Sequence, residues 1–206
     1  MIACHLSFGL FMILVKKYPS VIPLVLANLI PLAGVLFLKW DLFYLLLVYW
    51  FESAVIGFYN ILKMIVIGRW LAIPLVLFFM VHYGGFMYGH MLFLVSFFGP
   101  KGVASFRFPL VVFRDYFFDV AIAVIFLLLS HGFSFFYYFL GKREYLSSSL
   151  EKQMRAPYQR IILMHLTVIF GGWAVMIFGA PIGALVIMVF LKIAIDLKAH
   201  LREHSS

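Results

Sequence analysis

Long apolar segments are the feature of this sequence that most limits how the chain can fold. A helix needs about 20 mostly apolar residues to cross the hydrocarbon core of a bilayer, which is about 30 Å thick. By that measure there are six candidate spans, at about residues 20–38, 42–66, 72–98, 118–140, 157–178 and 180–197. The segments predict an all-α fold, a polytopic bundle of about six transmembrane helices that forms one domain over residues 1–206.

The composition agrees with this class and excludes others. Hydrophobic residues make up 66% of the chain and charged residues 12%, whereas ordinary globular domains have about 45–50% and 25%. A disordered chain and a sizeable water-soluble domain are therefore excluded. Cys4 is the one cysteine in the sequence, so we expect no intrachain disulfide and no cysteine-based metal cluster.

The basic residues are distributed unevenly between the two sides that the spans define. Twelve of the 16 Lys and Arg residues lie on the side of the two termini. By the positive-inside rule we expect both termini in the cytoplasm of a multi-pass protein of the cell membrane. The segments outside the spans are then an N-terminal interfacial segment (1–19), an external interfacial loop (99–117) and a cytoplasmic loop (141–156).

The net charge of +8 indicates membrane lipids as partners. The basic residues lie at the ends of apolar segments, where they anchor helices to anionic head groups, so we expect no nucleic acid. A homo-oligomer is left open. Four residues at the inner ends of the second and fifth spans could bind a phosphate or a lipid head group: Asn60, Lys63, Tyr158 and Arg160. Snorkelling anchors explain the same residues without a ligand.

Several ionisable side chains lie inside the apolar spans. Such a side chain at the centre of a bilayer costs a few kcal/mol on insertion scales, so it needs a partner or a function. At about 1.5 Å of rise per residue, four of them fall within about 5 Å of the midplane. These four are Glu52, His82, His131 and His165, and His90 lies nearer the external side.

Helical periodicity predicts which way His82 faces. At about 100° per residue it shares a stripe with Gly85, Gly89 and Ser96. The spacing of Gly85 and Gly89 lets another helix approach closely. We therefore expect the stripe, and His82 with it, to face the interior of the bundle.

A carboxylate and three imidazoles at one depth are suited to a divalent transition metal. Neutral imidazole nitrogen and carboxylate oxygen bind zinc, iron or manganese at about 2.0–2.2 Å. We therefore predict a metal centre made by Glu52, His82, His131 and His165, with His90 as a further candidate ligand. An open coordination position would make the chain a metal-dependent enzyme acting on a lipid-like substrate, although the sequence does not decide whether it is an enzyme.

Three alternatives use the same residues. Two of the histidines could hold a b-type haem axially. The polar groups could form the relay of a proton-linked transporter or channel. They could also only lock helix packing in a structural membrane subunit, through interhelical hydrogen bonds worth about 0.6 kcal/mol each.

Four short runs of residues resemble a known family. They are Tyr49-Trp50-Phe51-Glu52-Ser53 with Asn60 and Lys63, His82-Tyr83-Gly84 with His90, Ser130-His131-Gly132-Phe133-Ser134-Phe135, and Pro157-Tyr158-Gln159-Arg160 with His165. Together they resemble an uncharacterised family of prokaryotic polytopic membrane proteins, a domain of unknown function, from about residue 22 to residue 198. The resemblance implies a prokaryotic membrane location. It implies no mechanism, because the family has no assigned activity.

Overall fold

A computed structural model describes residues 42–99, 111–158 and 161–162, together with positions 34 and 37. This part of the chain forms helices and turns and contains no strand, so the predicted all-α class is confirmed for it. Several predicted elements lie outside the described residues. They are segment 1–19, nearly all of the first and fifth spans, the sixth span and residues 100–110 of the predicted external loop.

The first two described helices correspond to the second and third predicted spans. Helix α1 covers Leu42–Gly68, and a 3-10 turn, Arg69–Ala72, leads into helix α2, Ile73–Phe98. Pro74 lies in the first turn of α2. A proline is tolerated there because the amides of a first turn have no partner within the helix.

Helices α1 and α2 form an antiparallel hairpin. The hydroxyl of Tyr83 donates a hydrogen bond to the carbonyl of Ser53 at 2.7 Å. The indole nitrogen of Trp50 donates to the carbonyl of Met87, also at 2.7 Å. Gly57 makes the close packing possible, because a Cβ at this position would lie 2.6 Å from Cε1 of Tyr83.

The third long helix consists of three parts. A π-helical segment, Val112–Tyr116, precedes helix α3, Phe117–Phe133, and a second π segment, Ser134–Gly141, follows it. Helical structure therefore begins inside the predicted external loop 99–117. The reason is packing, since Val112 is fully buried and the Tyr116 ring contacts Phe43 edge-on at 5.2 Å.

Helix α3 runs parallel to α1 and packs on it. The Tyr44 hydroxyl donates to Asp119 at 3.1 Å, near the beginning of both helices. Further along α1, Lys63 places its Nζ 5.3 Å from the centre of the Phe139 ring. Partners late in α1 are thus late in the third helix, which fixes the parallel direction.

A fourth helix, α4 (150–158), begins within the predicted cytoplasmic loop 141–156. The Ser149 side chain caps it, because its Oγ accepts a hydrogen bond from the backbone amide of Lys152 at 3.2 Å. Leu150 lies beside Gly68, where an added Cβ would be 3.1 Å from Leu150 Cδ2. Later residues of α4 contact earlier parts of α1, so α4 runs antiparallel to α1.

The turn Arg69–Ala72 and the connection 142–149 lie at one end of the bundle, which we call the Gly68 end. Two residues there have positive φ, Arg69 at 49° and Arg143 at 57°. This left-handed conformation costs a residue with a side chain roughly 1–2 kcal/mol and is normally taken by glycine.

Two helical stretches, Phe43–Phe98 and Arg114–Gly141, are long and apolar enough to cross a membrane. The first contains both limbs of the α1–α2 hairpin.

Candidate functional site

Helix α1 carries buried polar side chains in its middle. Glu52 is 6% exposed, Ser53 5% and Asn60 3%. A buried polar group is costly unless it is hydrogen-bonded or paired, so each requires specific neighbours. Glu52 and Asn60 are eight residues apart, or about 12 Å along the helix.

The hairpin brings His82 to the level of Glu52. Tyr83 is bonded to the carbonyl of Ser53, and these two residues are the immediate neighbours of His82 and Glu52 in sequence. Glu52 and His82 therefore lie at similar levels of the hairpin, whereas their depth in a bilayer stays a prediction. Two interhelical hydrogen bonds set this register, from Tyr83 to Ser53 and from Trp50 to Met87.

His82 is bonded to α4. Its Nδ1 lies 2.7 Å from the hydroxyl oxygen of Tyr158, and the donor depends on the tautomer of the imidazole. The ring stacks on Phe78 and meets Phe86 edge-on, each with a centroid distance of 5.1 Å. One nitrogen is thus held by a hydroxyl, while the side chain as a whole stays exposed on the described bundle.

Among the described residues, the glycines of the His82 stripe do not face another helix, whereas His82 itself contacts α4. The predicted inward direction of the stripe is therefore not confirmed. Gly85, Gly89 and Ser96 are exposed, and nothing lies within 4 Å of a Cβ built on either glycine. The buried face of α2 instead carries large side chains such as Tyr83 and Met87. Tyr83 packs beside Gly57 and is hydrogen-bonded to the Ser53 carbonyl, and these contacts with α1 fix the rotation of the helix.

A second polar contact of α4 is with Asn60 of α1. The side-chain amide of Gln153 donates to its Oδ1 at 2.6 Å, and its own amide points to the sulfur of Met64 at 3.6 Å. Gln153 and Tyr158 are five residues apart on α4. The short helix is therefore held to the hairpin at two levels, by Gln153 and by Tyr158.

His131 has a different environment, against the other face of α1. Its ring stacks on Tyr59 with centroids 6.4 Å apart. The Tyr59 hydroxyl donates to the carbonyl of Leu128 at 3.0 Å. Gly132 permits this approach, because a Cβ there would lie 2.7 Å from that hydroxyl. Tyr59 is seven residues beyond Glu52, or about 10 Å along α1.

The predicted metal ligands are not all described. His165 lies outside the described residues, and His90 is buried on α2. Within the part of the chain that the structure describes, no group of three or more His, Cys, Asp or Glu side chains is placed to hold a metal ion. The four-ligand centre of Glu52, His82, His131 and His165 stays a prediction.

The predicted head-group residues contact different helices. Asn60 is bonded to α4, whereas Lys63 lies over Phe139 of the third helix. Tyr158 is bonded to His82, and Arg160 lies outside the described residues. A binding site made by these four residues also stays a prediction.

Sequence reasoning missed Gln153, Tyr59 and Tyr83. The only sequence signals for them are indirect. Gly57 and Gly132 interrupt apolar helices at positions where a large aromatic side chain packs against the backbone. No periodicity identifies which aromatic residue that is.

Fold and site together define an all-helical protein with apolar helices of membrane-crossing length and polar contacts that link α1 to α2 and both helices to α4. The profile of one protein family, a family of unknown function (DUF6498), matches residues 15–206. The chain belongs to this family, which confirms the expected membership of an uncharacterised family. Comparisons with curated proteins and with solved structures gave no match.

Proposed function

We propose that the chain is a multi-pass integral membrane protein of the cell membrane, with about six spans and both termini in the cytoplasm. Two helical stretches of sufficient length and apolarity support the membrane location. The orientation is supported by the described cations, since six lie at or near the Gly68 end and Arg114 lies at the other. The six are Lys63, Arg69, Lys142, Arg143, Lys152 and Arg155.

We propose further that its function is proton transport across the membrane, as a channel or carrier that needs no second substrate, with His82 as the group that takes up and releases the proton. The observation that carries this proposal is the 2.7 Å contact between His82 Nδ1 and the Tyr158 hydroxyl. Histidine is the side chain whose charge changes near neutral pH, and ionisable groups within membrane helices mark proton and ion pathways.

The two sides of the His82 ring suit this role. The Tyr158 hydroxyl forms a hydrogen bond at Nδ1 and so orients the ring. The proton would be exchanged with water at the other ring nitrogen, because the His82 side chain is exposed among the described residues. Glu52, at the same level of the hairpin, is a second group able to carry a proton.

Proton flux into liposomes tests the proposal. Purified protein is reconstituted with a pH-sensitive dye inside the vesicles, and a potassium gradient with valinomycin supplies the driving potential. We expect flux above that of empty liposomes, reduced at least about tenfold in His82→Ala, which corresponds to about 1.4 kcal/mol. Glu52→Gln should also reduce it, and the control Ser96→Ala, on the exposed face of α2, should not. Flux equal to that of empty liposomes would contradict the proposal.

The buried metal centre is the second candidate, because the orientation of His82 also suits a ligand. A metal-binding histidine usually has its other ring nitrogen held by a hydrogen bond, as Tyr158 holds Nδ1 here. Glu52 would supply a buried carboxylate. Metal analysis of the purified protein tests this candidate. Stoichiometric zinc, iron or manganese that is lost in Glu52→Ala and His131→Ala supports it. A metal-free protein with unchanged stability in both variants removes it.

A further inference from the structure

Two exposed arginines at the Gly68 end have an unusual backbone conformation. Arg69 has φ 49° and Arg143 has φ 57°, and they are the non-glycine residues with positive φ among those described. Each directly follows a helical segment or its last turn, where glycine would relieve the strain. The position is thus unfavourable for the arginine backbone.

Neither guanidinium forms an ion pair within the described structure. The ion pairs there join Arg114 to Asp115 and Arg155 to Glu151, and no described carboxylate pairs with Arg69 or Arg143. The two arginines therefore add positive charge at the Gly68 end without contributing an ion pair to the described fold.

Large apolar side chains surround this charge. Trp70 is 84% exposed, Leu71 85% and Leu146 71%. Trp70 and Leu71 directly follow Arg69, and Leu146 lies three residues after Arg143. Tryptophan beside basic residues is typical of the membrane–water interface, where the ring lies at head-group level and the cation meets phosphate.

We propose that Arg69 and Arg143 bind the phosphates of anionic phospholipids, while Trp70 lies at head-group level and Leu71 and Leu146 insert between the acyl chains. Charge complementarity identifies the partner, because two guanidinium groups beside exposed apolar side chains match an anionic lipid surface. The surface differs in residues from the predicted head-group site of Asn60, Lys63, Tyr158 and Arg160. The inference rests on the proposed membrane location and is independent of proton transport.

Lipid retention measured by native mass spectrometry tests this surface. The full chain is purified from mixed bilayers of phosphatidylglycerol and phosphatidylcholine in equal amounts, and the lipids that stay bound are counted. An arginine near an anionic surface contributes about a fivefold preference. The double variant Arg69→Gln with Arg143→Gln should lose most of the preference for phosphatidylglycerol. The control Arg114→Gln, an exposed arginine at the other end, should keep it.

Glycine variants separate binding from folding. Arg69→Gly and Arg143→Gly remove the guanidinium and also relieve the positive φ. We expect a higher unfolding temperature in phosphatidylcholine and a weaker preference for phosphatidylglycerol. A double glutamine variant with the wild-type preference, or an Arg114→Gln variant with the same loss, overturns the inference. If neither lipid is retained by the wild-type chain, the proposed membrane location itself fails.

Discussion

His82 and His131 are two histidines in apolar helices, and they lie on helices that pack against different faces of α1. His82 is joined by a hydrogen bond to Tyr158 and so connects α2 with α4. His131 stacks on Tyr59, and the Tyr59 hydroxyl is bonded to a backbone carbonyl of α3. The first arrangement is a hydrogen bond between the imidazole and a tyrosine hydroxyl, whereas the second is a stack of the imidazole on a tyrosine ring.

The difference teaches that depth in a membrane helix does not by itself make a functional residue. Both histidines occur in long apolar segments and look equivalent in the sequence. Their described contacts differ, since the His82 imidazole is hydrogen-bonded to the Tyr158 hydroxyl and the His131 ring stacks on Tyr59. This contrast is why the proposed proton transport is assigned to His82.

The largest effect is expected from Gly57→Ala, on the His82 side of α1. The new Cβ would lie 2.6 Å from the Tyr83 ring, which is fixed by its hydrogen bond to Ser53. Such overpacking costs about 2 kcal/mol. Unfolding in bicelles, followed by steric trapping, measures it. A variant as stable as wild type would show that the hairpin does not pack in this way.

The next largest effect is a difference in proton flux between the His82 and His131 variants. We expect His131→Ala to keep most of the proton flux, because its ring stacks on Tyr59, whose hydroxyl is bonded to the backbone carbonyl of Leu128. His82→Ala should lose about tenfold, or about 1.4 kcal/mol. Both variants are compared in the same liposomes at equal protein content. Equal losses would remove the distinction between the two sites.

A smaller effect is expected from Gly132→Ala, on the His131 side. Its Cβ would meet the Tyr59 hydroxyl at 2.7 Å, but this is the far end of a side chain that can turn away. The cost is then the hydrogen bond to Leu128, about 0.6 kcal/mol, together with the displacement of the Tyr59 ring. Gly85→Ala is the matched control. It faces open space, so the same unfolding assay should give unchanged or raised stability.

The smallest effect is expected from Tyr83→Phe. The variant keeps the ring beside Gly57 and removes only the bond to the Ser53 carbonyl. Interhelical hydrogen bonds in membrane proteins average about 0.6 kcal/mol. A loss of more than about 2 kcal/mol in the unfolding assay would contradict this prediction, because one interhelical hydrogen bond does not contribute that much.

The sequence predicts where the long helices lie but not which of their faces pack together. Uninterrupted apolar length predicts α1, α2 and the third helix, because crossing a bilayer demands it. The rotation of α2 was missed, since it depends on how Tyr83 fits beside Gly57 rather than on the glycine stripe. Helix α4 was read as loop because its first turns are polar and charged.

The candidate site was predicted only in part, for the same reason. The hairpin places Glu52 and His82 at similar levels, whereas their depth in a bilayer stays a prediction from counting residues along each helix. Tyr158 was singled out for lipid and contacts His82 instead. Contacts between residues 76 positions apart depend on packing that a single sequence does not encode in any local pattern.

A double-mutant cycle on proton flux tests the central claim, that His82 and Tyr158 act as one unit. Flux is measured for His82→Ala, Tyr158→Phe and the double variant in the same liposomes, with Ser96→Ala as control. The account predicts that all three variants lose about tenfold and that the second change adds nothing to the first. Wild-type flux in Tyr158→Phe, or losses that multiply in the double variant, would contradict it.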